Sequence, residues 1–264
     1  MDGSMLARTG NPYAYDAVTN GYGPMRRADP RFLRHIAKAV GGAASVLTVG
    51  AGTSGYEPPD RRVVALELGD TMIAARADGT APVVKGAVEA LPFRDDTFAA
   101  SMAVLTMEHW SDPIAGLHEL ARVATRRAIV LTVDPSRLND FWLYRYFPDA
   151  AFLQSTRLPS VRQVCEALGG ETRVVPIPIP HDCRDNIIAA HWRRPSAYLE
   201  RRVRQRIAVL AEMGDDHLLD DLRRLSEDLR SGAWDAAHGW MTTQNEMDLG
   251  YRLVVAEYAT ADAA

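Results

Sequence analysis

The run Ser45-Val46-Leu47-Thr48-Val49 leads directly into Gly50-Ala51-Gly52-Thr53-Ser54-Gly55. A short apolar run that ends in turn residues suits a strand buried on both faces of a parallel sheet. The glycines after it satisfy G-x-G-x-x-G, which lets the backbone bend tightly and come close to a ligand. Working outward, Arg62-Val63-Val64-Ala65-Leu66-Glu67 is a second strand that ends on an acid. A carboxylate at that end can accept hydrogen bonds from two ribose hydroxyls.

The alternation continues on both sides. Pro30 opens a helix with Phe32, Leu33, Ile36, Ala37 and Val40 on one face, and Gly41-Gly42 stops it. Asp70 to Arg76 begins a helix, and Ala81–Lys85, Phe98–Leu105 and Ala128–Val133 are further strands. Ile114, Leu117, Leu120, Ala121 and Val123 lie at helical spacing between the last two strands. Strand and helix alternating from about 45 to 134 predict a βαβ-wound parallel sheet. Beyond Asp134-Pro135 the pattern changes. Five aromatics crowd Phe141–Phe147, 160–168 reads as a helix, and Arg173–Pro180 reads as an edge strand broken by prolines. Residues 195–231 read as helical with a charged outer face, and Gly250–Tyr258 as a late strand.

Composition narrows the function. The chain has 264 residues, 47% of them hydrophobic, and a formal net charge of −4. Those values fit a globular enzyme-sized chain and argue against a nucleic-acid-binding surface. No apolar run is long enough to cross a membrane, and the polar start from Met1 to Asn11 has no export signal, so a cytoplasmic location is expected. Of 30 basic residues only Lys38 and Lys85 are lysine, and neither lies in a Gly-Lys-Ser/Thr sequence, which excludes a P-loop. Cys165 and Cys183 form no C-x-x-C and no H-E-x-x-H occurs, so no metal is expected.

Taken as a set, these features resemble the class I S-adenosylmethionine-dependent methyltransferases, in the small-molecule group called type 11. The resemblance rests on Val46–Thr53, on Glu67 with Met72, and on Glu89-Ala90-Leu91-Pro92-Phe93. It also rests on Asp96-Thr97-Phe98, and on His109-Trp110-Ser111-Asp112-Pro113 before Leu117–Val123. Tyr56-Glu57-Pro58 and Gly21-Tyr22 with Arg26 and Arg27 are similar to a subgroup common in actinobacteria that acts on natural products. The resemblance implies an α/β, Rossmann-like fold. Its sheet would be mostly parallel and seven-stranded, with helices on both faces and a helical, aromatic cap. The chain then divides into an N-terminal arm and helix (1–44), a cofactor-binding core (45–135), and a region (136–264) holding the aromatic segment, a cap insertion at about 181–249 and the final strands.

The same resemblance assigns roles. Gly50, Ala51 and Gly52 would face the methionine part of S-adenosyl-L-methionine, and Glu67 would hold its ribose. Leu68 and Met72 would flank the adenine, and Ala87 and Val88 would offer it only backbone groups. Leu105 and Thr106 would lie under the ribose and sulfonium, and Tyr22 or Arg26 would bind the carboxylate. A general base is needed only where the nucleophile carries a proton. Glu108, His109, Asp134 and His181 are the candidates, the first three at strand ends that face the ligand crevice in such sheets. Tyr13, Tyr15, Phe141, Trp142, Tyr146 and Trp192 are candidates to wall a pocket for a small aromatic acceptor. With Glu108, that raises indole C3-methylation of a tryptophan diketopiperazine, closing a pyrroloindoline ring.

The chain departs from the family where Thr48 replaces an acid and where Glu108-His109 stands in place of paired histidines. The rival readings are a methyltransferase-like protein that binds the cofactor without catalysis, and an NAD-dependent oxidoreductase. Neither lysine has a tyrosine four residues upstream, which weakens the second. A monomer or homodimer with no nucleic-acid or membrane partner is expected.

Overall fold

The computed structural model describes residues 28–259. The first helix, α1 (Pro30–Val40), starts as its sequence dictates. Pro30 occupies the first turn and the Asp29 carboxylate accepts the Arg31 N–H. Gly41, at φ +55°, ends it, a backbone conformation that glycine adopts without strain. Then follow β1 (Ser45–Val49), β2 (Arg62–Glu67), α2 (Asp70–Ala74), β3 (Val83–Lys85), β4 (Phe98–Val104), α3 (Pro113–Arg122) and β5 (Ala124–Val133). Asp112 caps α3 by accepting the Ile114 and Ala115 N–H groups.

The second half contains α4 (Leu143–Tyr146), α5 (Pro148–Arg157), α6 (Val161–Leu168), β6 (Glu171–Pro176) and β7 (Ile179–Pro180). It continues with α7 (Arg201–Arg204), α8 (Ala208–Met213), α9 (Leu219–Ser231), α10 (Ala233–His238), β8 (Glu246–Met247) and β9 (Tyr251–Glu257). Seven strands form one sheet in the order β3-β2-β1-β4-β5-β9-β6. β1 to β5 pair in parallel, and β9 runs antiparallel to both its neighbours, β5 and β6. The strand order reverses between β1 and β4. In open α/β sheets that switch point leaves a crevice outside the carboxyl ends of the strands.

Two expectations need correction. The predicted strand over Arg173–Pro180 is two strands, because Pro176, Pro178 and Pro180 have no N–H to sustain a ladder. The first part, β6, edges the main sheet; the second, β7, pairs with β8 in a separate ribbon, Ile179 opposite Met247. The predicted continuous helix over 195–231 is broken into a 3-10 turn at Pro195–Leu199 and α7, α8 and α9. Gly214, at φ +78°, ends α8.

Between the strands of the β7–β8 ribbon the chain leaves and returns as a cap with an aromatic centre. Trp142, Trp192, Trp234 and Tyr198 are all at most 2% exposed. Trp142 meets Trp234 edge-on at 5.3 Å and Tyr198 at 5.7 Å. Such edge-to-face pairs add about 0.5–1.5 kcal/mol beyond the area they bury. Two of the three indoles are bonded: Trp142 Nε1–H donates to the Trp192 carbonyl at 2.8 Å, and Trp192 Nε1–H to the Ile179 carbonyl at 3.1 Å. One continuous apolar core runs from α1 through the sheet into this cap.

The cap is also tied to the start of the sheet domain. Asp29 is fully buried and accepts from the Arg31 guanidinium and from the Arg184 N–H. Arg31 reaches onward to Asp182 at 2.6 Å. Burial alone would raise the Asp29 pKa. The hydrogen bonds from the Arg31 side chain, the Arg31 N–H and the Arg184 N–H outweigh it and hold the carboxyl at about 2, against an ordinary 3.8. A carboxyl whose pKa falls on folding stabilises the fold above its unfolded pKa and loses that contribution as pH falls. Urea unfolding at stepped pH should therefore show about 2 kcal/mol of stability lost between about pH 4 and pH 2. Asp29→Ala should remove that acid-dependent portion and destabilise the protein at neutral pH.

Candidate active site

The carboxyl end of β1 turns sharply. Gly50 has φ +59° and Gly52 φ +50°, both in the region that disfavours side chains. A Cβ on Gly50 would overlap the Thr106 side chain at the end of β4, whereas a Cβ on Gly52 would meet nothing within 4 Å. The turn is thus closed against the neighbouring strand and open on its other side.

Glu67 ends β2 beside this turn and is 1% exposed. Its Oε2 accepts the Gly52 N–H at 2.8 Å, and its Oε1 accepts the Leu68 and Gly69 N–H groups at 2.9 and 3.0 Å. Three donors hold the carboxylate in place and leave acceptor capacity at Oε2. A second brace comes from Arg76, which donates to the Gly52 carbonyl at 3.0 Å and pairs with Glu57 at 2.5 Å. Gly52 is therefore gripped through both its N–H and its carbonyl.

At the end of β4, Leu105 adopts φ +51°, uncommon for a residue with a branched side chain. Its N–H still bonds the Leu131 carbonyl at 2.8 Å. The chain then forms a 3-10 turn over Met107–His109. This turn borders a cleft. Thr132 and Val133 of β5 and Tyr251 of β9 form one side of the cleft. Gln154 and Leu158 form another, and Asn186–Ile188 with Ile207–Val209 of the cap complete it. Seven of its sixteen lining residues are branched aliphatic, and the others include Thr106, Glu108, His109, Thr132, Gln154, Asn186 and Tyr251.

Glu108 and His109 stand side by side in the cleft. His109 Nε2 stands 3.6 Å from Glu108 Oε1, with both side chains about a quarter exposed. Glu108 Oε2 accepts from Gln154 Nε2 at 3.3 Å. Gln154 Oε1 in turn accepts the Tyr144 hydroxyl. Burial, reinforced by the Glu108 charge, pushes the Tyr144 phenol far above its usual range, so it remains a donor. Tyr251 on the cleft side is held protonated in the same way by burial. Among the described residues no cluster of His, Cys, Asp and Glu could hold a metal ion.

Ala51, Gly50, Gly52, Glu67, Leu68 and Met72 gather around the glycine turn and the end of β2, with Leu68 38% exposed. Ala87 and Val88 follow β3, and the Val88 side chain is buried, which leaves backbone there for a ligand. Glu108, His109 and Leu105 line the cleft. Four other assignments change. Asp134 caps the turn at Pro135–Asp140, its Oδ1 accepting from the Ser136 N–H and hydroxyl, and it does not line the cleft. His181 sits at the neck of the cap, its N–H and Nδ1 both at the Asn245 carbonyl. Phe141, Trp142 and Trp192 are packed into the cap core, with both indole N–H groups already bonded. Tyr146 is 8% exposed and bonds Asp228 at 2.7 Å, away from the cleft. Tyr13, Tyr15, Tyr22 and Arg26 lie outside the described residues. Gln154, Asn186 and Tyr251 escaped the sequence reading because they reach the cleft from distant segments that carry no motif.

The family described as "Methyltransferase domain" matches residues 47–132, the run from β1 to β5. The fold is that of a class I methyltransferase. A putative methyltransferase from an antibiotic biosynthesis pathway of Anabaena variabilis superposes with a TM-score of 0.80 at 27% identity, covering 89% of this chain and 99% of that one. The YcgJ protein of Bacillus subtilis shares the fold at a TM-score of 0.52 and 16% identity, over 85% of this chain and 97% of that one. Among curated proteins, 2-methyl-6-phytyl-1,4-hydroquinone methyltransferase 1 of rice (Oryza sativa subsp. japonica) is 33% identical over 67 residues, 25% of this chain and 20% of the relative. The chain thus spans about a fifth of the length of the curated relatives it matches.

The methyl donor of this fold class is S-adenosylmethionine, and the residues present suit it. The turn is open at Gly52, and a buried carboxylate is fixed beside it with acceptor capacity to spare. Glu67→Ala should weaken S-adenosylhomocysteine binding by about 1–3 kcal/mol, the loss of hydrogen bonds to a charged group. Calorimetry checks this, and a melting curve of the same variant should show a lower Tm because three buried N–H groups lose their acceptor.

Proposed function

We propose that the chain is an S-adenosylmethionine-dependent methyltransferase that acts on a small, apolar natural product whose acceptor atom must lose a proton. The observation that carries this reading is the Glu108–His109 pair in a cleft it shares with Leu105, Val133, Leu158, Ile187 and Ile207, one turn beyond the strand that abuts the glycine turn. The similarity to the Anabaena protein supports a natural-product acceptor.

Bound S-adenosylmethionine supplies an electrophilic methyl group on sulfur with a neutral leaving group. The chain's own residues do the rest. Glu67 and the backbone of Gly50–Gly52 fix the donor's position. Leu105, Val133, Leu158, Ile187 and Ile207 exclude water and hold an apolar acceptor by burying it. Glu108 receives the proton that the acceptor loses, through the oxygen that faces His109. Gln154 keeps the other oxygen occupied. Indole C3-methylation falls within this class, because methylation at carbon there is completed by loss of an N–H proton.

Incubation with methyl-labelled S-adenosylmethionine and a panel of phenols, indoles and tryptophan diketopiperazines should label an apolar member that carries an O–H or N–H. Binding of NAD with no binding of S-adenosylhomocysteine would overturn the reading. Glu108→Gln should lower kcat for the labelled acceptor by about 10²–10⁴-fold, the usual contribution of a general base. Its affinity for S-adenosylhomocysteine should stay at the wild-type value, since Glu108 touches the acceptor side of the cleft.

A further inference from the structure

Tyr56 directly follows the glycine turn and is 7% exposed. Its hydroxyl donates to Oδ2 of Asp185, which is 2% exposed and lies in the cap. The other oxygen of Asp185 accepts the Asn186 N–H at 2.7 Å. Asn186, Ile187 and Ile188 are the cap's first contribution to the cleft wall. One buried carboxylate therefore joins the residue after the turn to the residue that starts the wall.

Both ends of this connection are braced. On the turn side, Arg76 holds the Gly52 carbonyl and also Glu57, the residue after Tyr56, in a pair whose side chains are at most 9% exposed. On the wall side, the Ile188 carbonyl accepts the Tyr198 hydroxyl at 2.5 Å, and the Ala190 N–H bonds the Ile187 carbonyl at 3.0 Å. A phenol donating to a buried carboxylate is a charge-assisted bond, and separating the two would cost the buried carboxylate one of its donors. The turn and the wall therefore shift together instead of sliding past one another.

We propose that Tyr56 and Asp185 are positioning residues that couple the donor turn to the acceptor wall, so that filling the turn orders Asn186–Ile188. The coupling rests on the reading of the turn as the S-adenosylmethionine site. Because linkage is reciprocal, an acceptor held by the wall strengthens donor binding by the same factor.

Hydrogen–deuterium exchange with S-adenosylhomocysteine as the probe tests this without an acceptor. In the wild type the probe should slow exchange over residues 50–55 and also over 186–190, the second by about fivefold, the lower range of allosteric coupling. In Tyr56→Phe, which keeps the ring, slowing at 50–55 should persist while slowing at 186–190 disappears. Asp185→Asn, whose amide keeps a hydrogen bond to the phenol, should restore the wild-type pattern. Should Tyr56→Phe not fold, Asp185→Val removes the same bond from the other side and carries the same expectation. Slowing confined to 50–55 in the wild type, or full slowing at 186–190 in Tyr56→Phe, overturns the coupling alone. No slowing at 50–55 in the wild type overturns the donor-site reading, and the coupling with it.

Discussion

The carboxylate of Glu67 is the constraint on which the site depends. It binds the N–H groups of Gly52, Leu68 and Gly69 at once, and so fixes the end of β2 against the turn that follows β1. A turn with two glycines at positive φ is entropically expensive to hold in one shape. The carboxylate and Arg76 hold it by gripping Gly52 from opposite sides. Whatever its candidate role toward a ligand, Glu67 organises the loop at the strand end, so the strand order and the turn are one structure.

The aromatic residues have a role different from the one their density suggests. A run such as Phe141–Phe147 invites the reading of a stacking pocket. In the fold it is the core of a cap, in one continuous apolar cluster with the sheet. Large rings with bonded N–H groups serve that purpose well. The cap then presents smaller branched side chains to the cleft, with Tyr251 of the sheet the one aromatic on the wall.

How much of this the sequence carried follows from how local each feature is. β1 to β5 were legible because a buried parallel strand is a continuous apolar run and each lies close to the next in sequence. The turn, Glu67 and the Glu108–His109 pair were legible because the topology places every strand's carboxyl end on one edge. Asp134 misled for the same reason, since a strand end is also where the next turn needs a cap, and Ser136 takes its carboxylate. His181 misled because nothing in its neighbourhood shows that Asn245 returns to meet it across the neck. The helical spacing over 195–231 was real, but Gly214 breaks it, and periodicity averages over a single such residue.

Gln154 illustrates what sequence could not supply and why it matters chemically. Its amide has one end that accepts and one that donates, and the two look alike in isolation. Here the buried Tyr144 hydroxyl, kept protonated by burial, donates to the amide oxygen. That leaves the NH₂ group facing Glu108. Glu108 in turn meets a donor at Oε2 and keeps Oε1 directed to His109. A carboxylate held in this way presents one oxygen in a fixed direction within the cleft. That is the geometry required of a group that must accept a single proton from a bound acceptor.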